Sequence, residues 1–161
     1  MKTSVLIGFL LAFVNVGLVF AQKNDTIISS EGDKYIGKQI NGQFHGYGEM
    51  IWKDGSTYYG FWKNGAMHGK GVMEWNTGDK YAGSWKHGKR NGKGIVIWQD
   101  GSSYKGIWID DKMNGRGEMI WVTGDVYKGN WVNAVMNGKG TLKYIDGTIS
   151  KGIWENGKLK N

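Results

Sequence analysis

Apolar and polar residues alternate with period two through most of the chain, in short runs broken by glycine. In Tyr58-Tyr59-Gly60-Phe61-Trp62, the residues Tyr58, Gly60 and Trp62 share one face of an extended strand, because successive side chains point to opposite sides. In Gly71-Val72-Met73-Glu74-Trp75 the shared face carries Gly71, Met73 and Trp75. The opposite face is mixed, with Glu49, Glu74, Glu118, Lys105 and Lys128 among its members. Such alternation predicts half-buried antiparallel strands and excludes a helical reading of these segments.

The alternation recurs every 23 residues. Tyr35, Tyr58, Tyr81, Tyr104 and Tyr127 form one column, with Ser150 in the next slot. Trp62, Trp85, Trp108, Trp131 and Trp154 form a second, for which Gln39 is the first member. Trp52, Trp75, Trp98, Trp121 and Tyr144 form a third, so two columns hold every tryptophan. Every glycine after Gly17 falls in one of five columns. Asn41-Gly42, Asn64-Gly65 and Asn156-Gly157 are pairs that accept positive φ in two-residue hairpin turns. Asp54-Gly55, Asp100-Gly101 and Asp146-Gly147 repeat that chemistry between units, alternating with Thr77-Gly78 and Thr123-Gly124. Asp-Gly-Ser or Asp-Gly-Thr thus alternates with Thr-Gly-Asp, the acid and hydroxyl exchanging places. The chain contains no proline, which leaves every backbone donor available for laddering. The predicted fold is all-β: an elongated, twisted, single-layer antiparallel array of hairpins. Its rings should fill the concavity, with glycine opposite each ring making room. Consecutive units would bury a shared face that no single hairpin can bury alone.

This pattern resembles the MORN (membrane occupation and recognition nexus) repeat. The motif is carried by Tyr58, Gly60, Trp62, Gly65, His68, Gly69, Gly71, Trp75 and Gly78 and their counterparts. The units run 35–57, 58–80, 81–103, 104–126 and 127–149, with a partial copy at 150–161. Asn91, Asn114 and Asn137 depart from the His, Asp111 and Ala134 from the turn Gly, and Gln39 from the first Trp. Asp tolerates left-handed φ, whereas Ala134 puts its turn in question. The resemblance implies a scaffold or membrane-associated module.

The N-terminus adds a separate feature. Lys2 precedes an apolar run, Val5 to Phe20, that ends in Val19-Phe20-Ala21. A charged start, a short apolar middle and a small-x-small site predict a helical signal segment over 1–21, cut before Gln22. A polar lead-in, 22–34, follows. An uncleaved anchor is the alternative, but the run falls short of a comfortable span and no basic cluster follows it. Export then places the chain in a periplasmic, secreted or envelope-associated setting. The absence of cysteine excludes disulfides, thiolate metal sites and a cysteine nucleophile. The formal net charge is +7, one less without Lys2. It favours anionic partners, such as lipid headgroups or acidic glycans, and export argues against nucleic acid.

Catalytic and cofactor motifs fail on inspection. Gly69-Lys70-Gly71 is followed by Val72, where a Walker loop needs a hydroxyl, and Glu74 stands where a dinucleotide fingerprint needs glycine. His45 and His68 share a repeat column, about 10 Å apart by strand spacing, too far to hold one ion. Asp54, Asp79, Asp100, Asp125 and Asp146 recur once per turn, as turn chemistry requires. No catalytic residue, cofactor or metal is expected, and the chain reads as a non-enzyme. Two features carry binding. Lys70, Lys93, Arg116 and Lys139 stand between the paired glycines, Tyr47 being first in that column, and form a ladder suited to anionic headgroups. Tyr47, Tyr59 and Phe61 fall outside the aromatic columns and predict an exposed patch for a partner protein or self-association. Glycan binding through aromatic rings is the alternative function. The terminal strands offer a further route to self-association.

Overall fold

The computed structural model describes residues 25–160; the expected signal segment, its cleavage site and the first residues of the lead-in lie outside them. The described residues form thirteen strands and no helix. They are β1 (Asp25–Ile28), β2 (Lys34–Ile40), β3 (Gln43–Ile51), β4 (Thr57–Lys63) and β5 (Ala66–Glu74). Next come β6 (Lys80–Lys86), β7 (Lys89–Ile97), β8 (Ser103–Ile109) and β9 (Lys112–Ile120). The series closes with β10 (Val126–Val132), β11 (Val135–Lys143), β12 (Ile149–Glu155) and β13 (Lys158–Leu159). They pair in chain order as one antiparallel sheet, the meander that the period-two pattern predicts.

The core is the aromatic face of this sheet. Tyr35, Tyr58, Tyr81, Tyr104 and Tyr127 are at most 1% exposed, and Trp62, Trp85, Trp108, Trp131 and Trp154 at most 4%. Each inner tyrosine stands edge-on between two tryptophans: Tyr58 lies 5.1 Å from Trp62 and 5.5 Å from Trp85, and Tyr81 5.1 Å from Trp85 and 5.6 Å from Trp108. The ring of Tyr58 lies flat over the paired Gly60 and Gly71, where an added Cβ would collide with it. Its hydroxyl donates to the Phe61 carbonyl at 3.1 Å, and Trp62, Trp85 and Trp154 donate to the carbonyls of Gly48, Gly71 and Gly140. These polar tips are thereby satisfied without breaking the aromatic row, whereas the indole N–H groups of Trp108 and Trp131 are buried without an acceptor. In the last unit Ser150 supplies no ring, and Leu159 of β13 sits at Gly152 instead.

Neighbouring hairpins are tied at both sheet margins. At one, the turn amides of Gly65, Gly88, Asp111, Ala134 and Gly157 donate to carbonyls of the preceding hairpin, for example Gly88 to Met67 at 2.9 Å. At the other, Asp33, Ser56, Asp79, Ser102 and Asp125 accept the amide twenty residues ahead, at 2.8–3.0 Å. The partner position caps the loop locally, as Asp54 does for Ser56 and Asp100 for Ser102. The exchange of acid and hydroxyl therefore keeps the tie to the next loop, since either oxygen accepts an N–H.

Three expectations change. The Asp-Gly loops are not two-residue turns: Gly55 alone is left-handed (φ 89°), its amide bonds Trp52 at 2.9 Å, and Trp52 bonds Ser56. That is a longer loop, in which Asp54 caps instead of adopting positive φ. The Ala134 turn forms, with φ 49° at Asn133 and 68° at Ala134. The lead-in also contains β1, which occupies the position of Gly48–Ile51 one repeat earlier. Ile27 takes the place of Met50 and packs on the core, and Gly32 (φ 99°) that of Gly55.

Candidate functional site

The glycine pairs do two different jobs. The second of each pair lies under a tyrosine; the first has positive φ, as at Gly69 (59°) and Gly92 (101°). On one side of β5 the register runs from Gly60↔Gly71 straight to Phe61↔His68, so Gly69 and Lys70 are inserted against nothing on β4. The same two-residue bulge occurs at Gly46-Tyr47, Gly92-Lys93, Gly115-Arg116 and Gly138-Lys139. Bulges re-aim the inserted side chain. Every residue of the expected ladder, Tyr47 included, thus sits at a bulge crest, on the face away from the core.

That face opens into a trough of about 1180 Å³ running from β5 to β12. The sequence placed the concavity on the aromatic side; the rings instead pack flat on their own backbone, and the open groove lies behind them. Its floor is the glycine column Gly83, Gly94, Gly106, Gly117, Gly129 and Gly140. Lys70, Lys93, Arg116 and Lys139 line it together, all exposed. Lys105, Lys128 and Lys151 form a second basic row beside them. Glu118 is the only acid in the lining and is paired with Lys128 at 2.7 Å. Lys70 Nζ donates to Ser84 Oγ at 2.9 Å, so this cation reaches across the face. Ile95, Ile107 and Ile153 add apolar walls that strand alternation alone did not single out.

Tyr47, Tyr59 and Phe61 stand on the same side of the sheet, ahead of the cations. Tyr47 and Tyr59 are each 48% exposed, and Phe61 is half-buried against Tyr47 with ring centroids 5.6 Å apart. The rows therefore begin aromatic and become cationic.

The remaining chemistry is structural or dispersed. The five loop acids make the cap and tie bonds described above. The structure brings together one histidine pair that column spacing missed: His68 and His87 lie 5.5 Å apart, because the turn of one hairpin rests on the strand of the previous one. Burial, with His87, Lys63 and Lys86 nearby, holds His68 below the ordinary imidazole range. Among the described residues no three metal-ligating side chains converge.

A family model described as MORN repeat matches residues 35–57, 58–80, 81–103, 104–126 and 127–149. Comparison with curated proteins gave no match. Among solved structures, the chain is similar to the SAS-4 (dCPAP) TCP domain of Drosophila melanogaster in complex with a proline-rich motif of Ana2 (dSTIL). The identity is 15% and the TM-score 0.45, over 84% of this chain and 81% of that one. It is also similar to the wild-type TCP10 domain of Danio rerio CPAP, at 9% identity and TM-score 0.36, over 80% and 73%.

Proposed function

The chain belongs to the MORN repeat family, and from that premise we propose that it is a non-catalytic binding or scaffolding module. Its trough engages anionic groups displayed at a membrane or envelope surface, lipid headgroups among them. One observation carries this reading: four bulges present Lys70, Lys93, Arg116 and Lys139 in register along a trough whose single acid is already paired. Like charges held in one row repel one another, and a bound anion relieves that repulsion. The leader read in residues 1–21 supplies the route to an exported location, and N-terminal sequencing of the mature protein should then begin at Gln22.

Co-sedimentation with anionic and neutral vesicles, and retention on an acidic polysaccharide matrix, test the proposal. Replacing the four ladder cations by Gln should weaken anionic binding by up to roughly a thousandfold, since each of the four charges contributes up to about 1 kcal/mol near an anionic surface. Binding that is unchanged by these substitutions and by salt would overturn it. A second reading, glycan binding through aromatic rings, draws on the exposed Tyr47 and Tyr59. The tryptophans of the Tyr-x-Gly-x-Trp column are core, with their rings engaged by tyrosines.

A further inference from the structure

The geometry points to a linear acidic glycan, a chain of sugars bearing carboxylate or sulfate groups, as the occupant of the trough. This rests on the trough being the anion site and adds the form of the ligand. The trough is long enough for a chain polymer. From β5 to β12 the sheet advances seven strand intervals, roughly 34 Å at about 4.8 Å each. One extended chain can lie along that length over the glycine floor, between the two cation rows.

The cation pattern suits a chain with a short charge repeat. Successive rungs of one row are two strands apart, about 10 Å, close to the span of two extended sugar rings. The second row, Lys105, Lys128 and Lys151, is offset along the strands by about 7 Å, so a chain between the rows meets a cation on either side. A planar lipid surface uses this shape poorly. The apolar walls and glycine floor would remain unfilled, and Lys70 and Lys128 lie across the face, bonded to Ser84 and Glu118.

Other chain polymers fit less well. Single-stranded nucleic acid binds by stacking its bases on aromatic platforms, and none of the lining residues is aromatic. An extended peptide brings an N–H at almost every residue and needs acceptors. Outside the bulges the sheet backbone is engaged in its own ladder, and the lining side chains are mostly donors or hydrocarbon. Sugar hydroxyls rotate to water or to one another, and acidic groups accept from lysine and arginine.

Calorimetric titration of the intact protein with galacturonate oligomers of increasing length tests the inference. Poly-dT, a neutral gluco-oligomer and phosphatidylglycerol vesicles are the comparison ligands. Affinity should rise with each added uronate until the oligomer spans the cation rows, then level off, and the neutral oligomer should not bind. Thr141→Trp fills the trough between Lys128 and Lys151 without changing charge. It should weaken uronate binding about tenfold, and vesicle binding by less. Circular dichroism establishes that this variant folds, and the Lys105/Lys128/Lys151→Gln variant gives an independent test with the same expected loss. Length-independent uronate binding, or poly-dT binding more tightly than uronate, would overturn the inference. Ladder-dependent vesicle binding without uronate binding would overturn it while leaving the anion site standing. Binding to no anionic ligand would remove both.

Discussion

Arg90 occupies a slot that Phe44, Met67, Met113 and Met136 fill in other repeats, and its charge is reconciled with an aromatic surrounding by a second departure, Asp111. The guanidinium stacks 4.2 Å from the Trp108 ring, with Tyr81 and Trp75 at 5.8 and 5.9 Å. Asp111, in the turn of the next hairpin, accepts from Arg90 Nε at 3.1 Å and from its backbone N–H at 2.9 Å. The missing turn glycine is thus a partner for the foreign arginine. Asp111→Gly should cost roughly 1–2 kcal/mol in urea melts, the low end for hydrogen bonds to a charged group because the pair is partly exposed, despite restoring the turn residue. Arg90→Met combined with Asp111→Gly should recover most of the loss, and additive costs would refute the coupling. The tyrosines make a second residue-scale prediction. Burial pushes the hydroxyls of Tyr35 and Tyr104 up to about 12 and raises those of Tyr58, Tyr81 and Tyr127. Unfolded tyrosine titrates near 10. Below that pH both states hold the proton and the stabilisation is complete; above it the unfolded chain ionises first, so stability falls between about pH 10 and 12. In a variant with Tyr47, Tyr59 and Tyr144 replaced by Phe, which reports the buried row alone, tyrosinate absorbance and loss of near-ultraviolet dichroism should therefore rise together in one transition. Ionisation spread over several pH units in a folded protein would contradict the buried row.

At the level of the hairpin, positive φ is distributed over residues with different tolerance for it. Asn133-Ala134 adopts the same turn as Asn64-Gly65, yet a left-handed alanine carries a steric cost of about 1–2 kcal/mol. Ala134→Gly should therefore raise stability by roughly 1 kcal/mol, less the entropy that glycine gains when unfolded. A thermal midpoint that falls would mean that the Ala134 methyl supports the adjoining groove of Met113, Met136 and Trp131. The turns and strands were legible because period two and paired Asn-Gly are local signals. The Tyr, Trp and Gly columns, and the cations between paired glycines, were legible because repetition separates them from chance. Other features were not legible, each for a physical reason. The strand β1 lacks the glycine and tryptophan of its column, leaving only Ile27 and Gly32 to mark it. The bulges look like ordinary alternation, because a two-residue insertion keeps side-chain parity, so Lys70 stays on its expected face while its backbone leaves the ladder with β4 and stays paired with β6. Arg90–Asp111 and His68–His87 join different columns of successive repeats and surface only once hairpins stack.

At the scale of the whole array, among the described residues, each hairpin pairs only with its neighbours, and the thirteen strands follow chain order without a crossover. Stability in such an array is a sum of unit and interface contributions, so a complete unit should be removable. Excision of residues 58–80 joins Thr57 to Tyr81, which begins an equivalent unit, and leaves the Arg90–Asp111 pair intact. The shortened chain should fold with the same near-ultraviolet signature and a lower thermal midpoint, because one unit and its interface are lost. The excision removes Lys70, the first cation of the trough, together with Tyr59 and Phe61. Lys93 to Lys151 keep their spacing, because the trough is built from contacts within and between adjacent repeats. Anion affinity should accordingly fall by no more than about fivefold, the worth of one charge at up to about 1 kcal/mol. Failure of the excised chain to fold would show that the core depends on contacts beyond neighbouring repeats. Retained folding with complete loss of anion binding would move the binding surface to the excised aromatic patch.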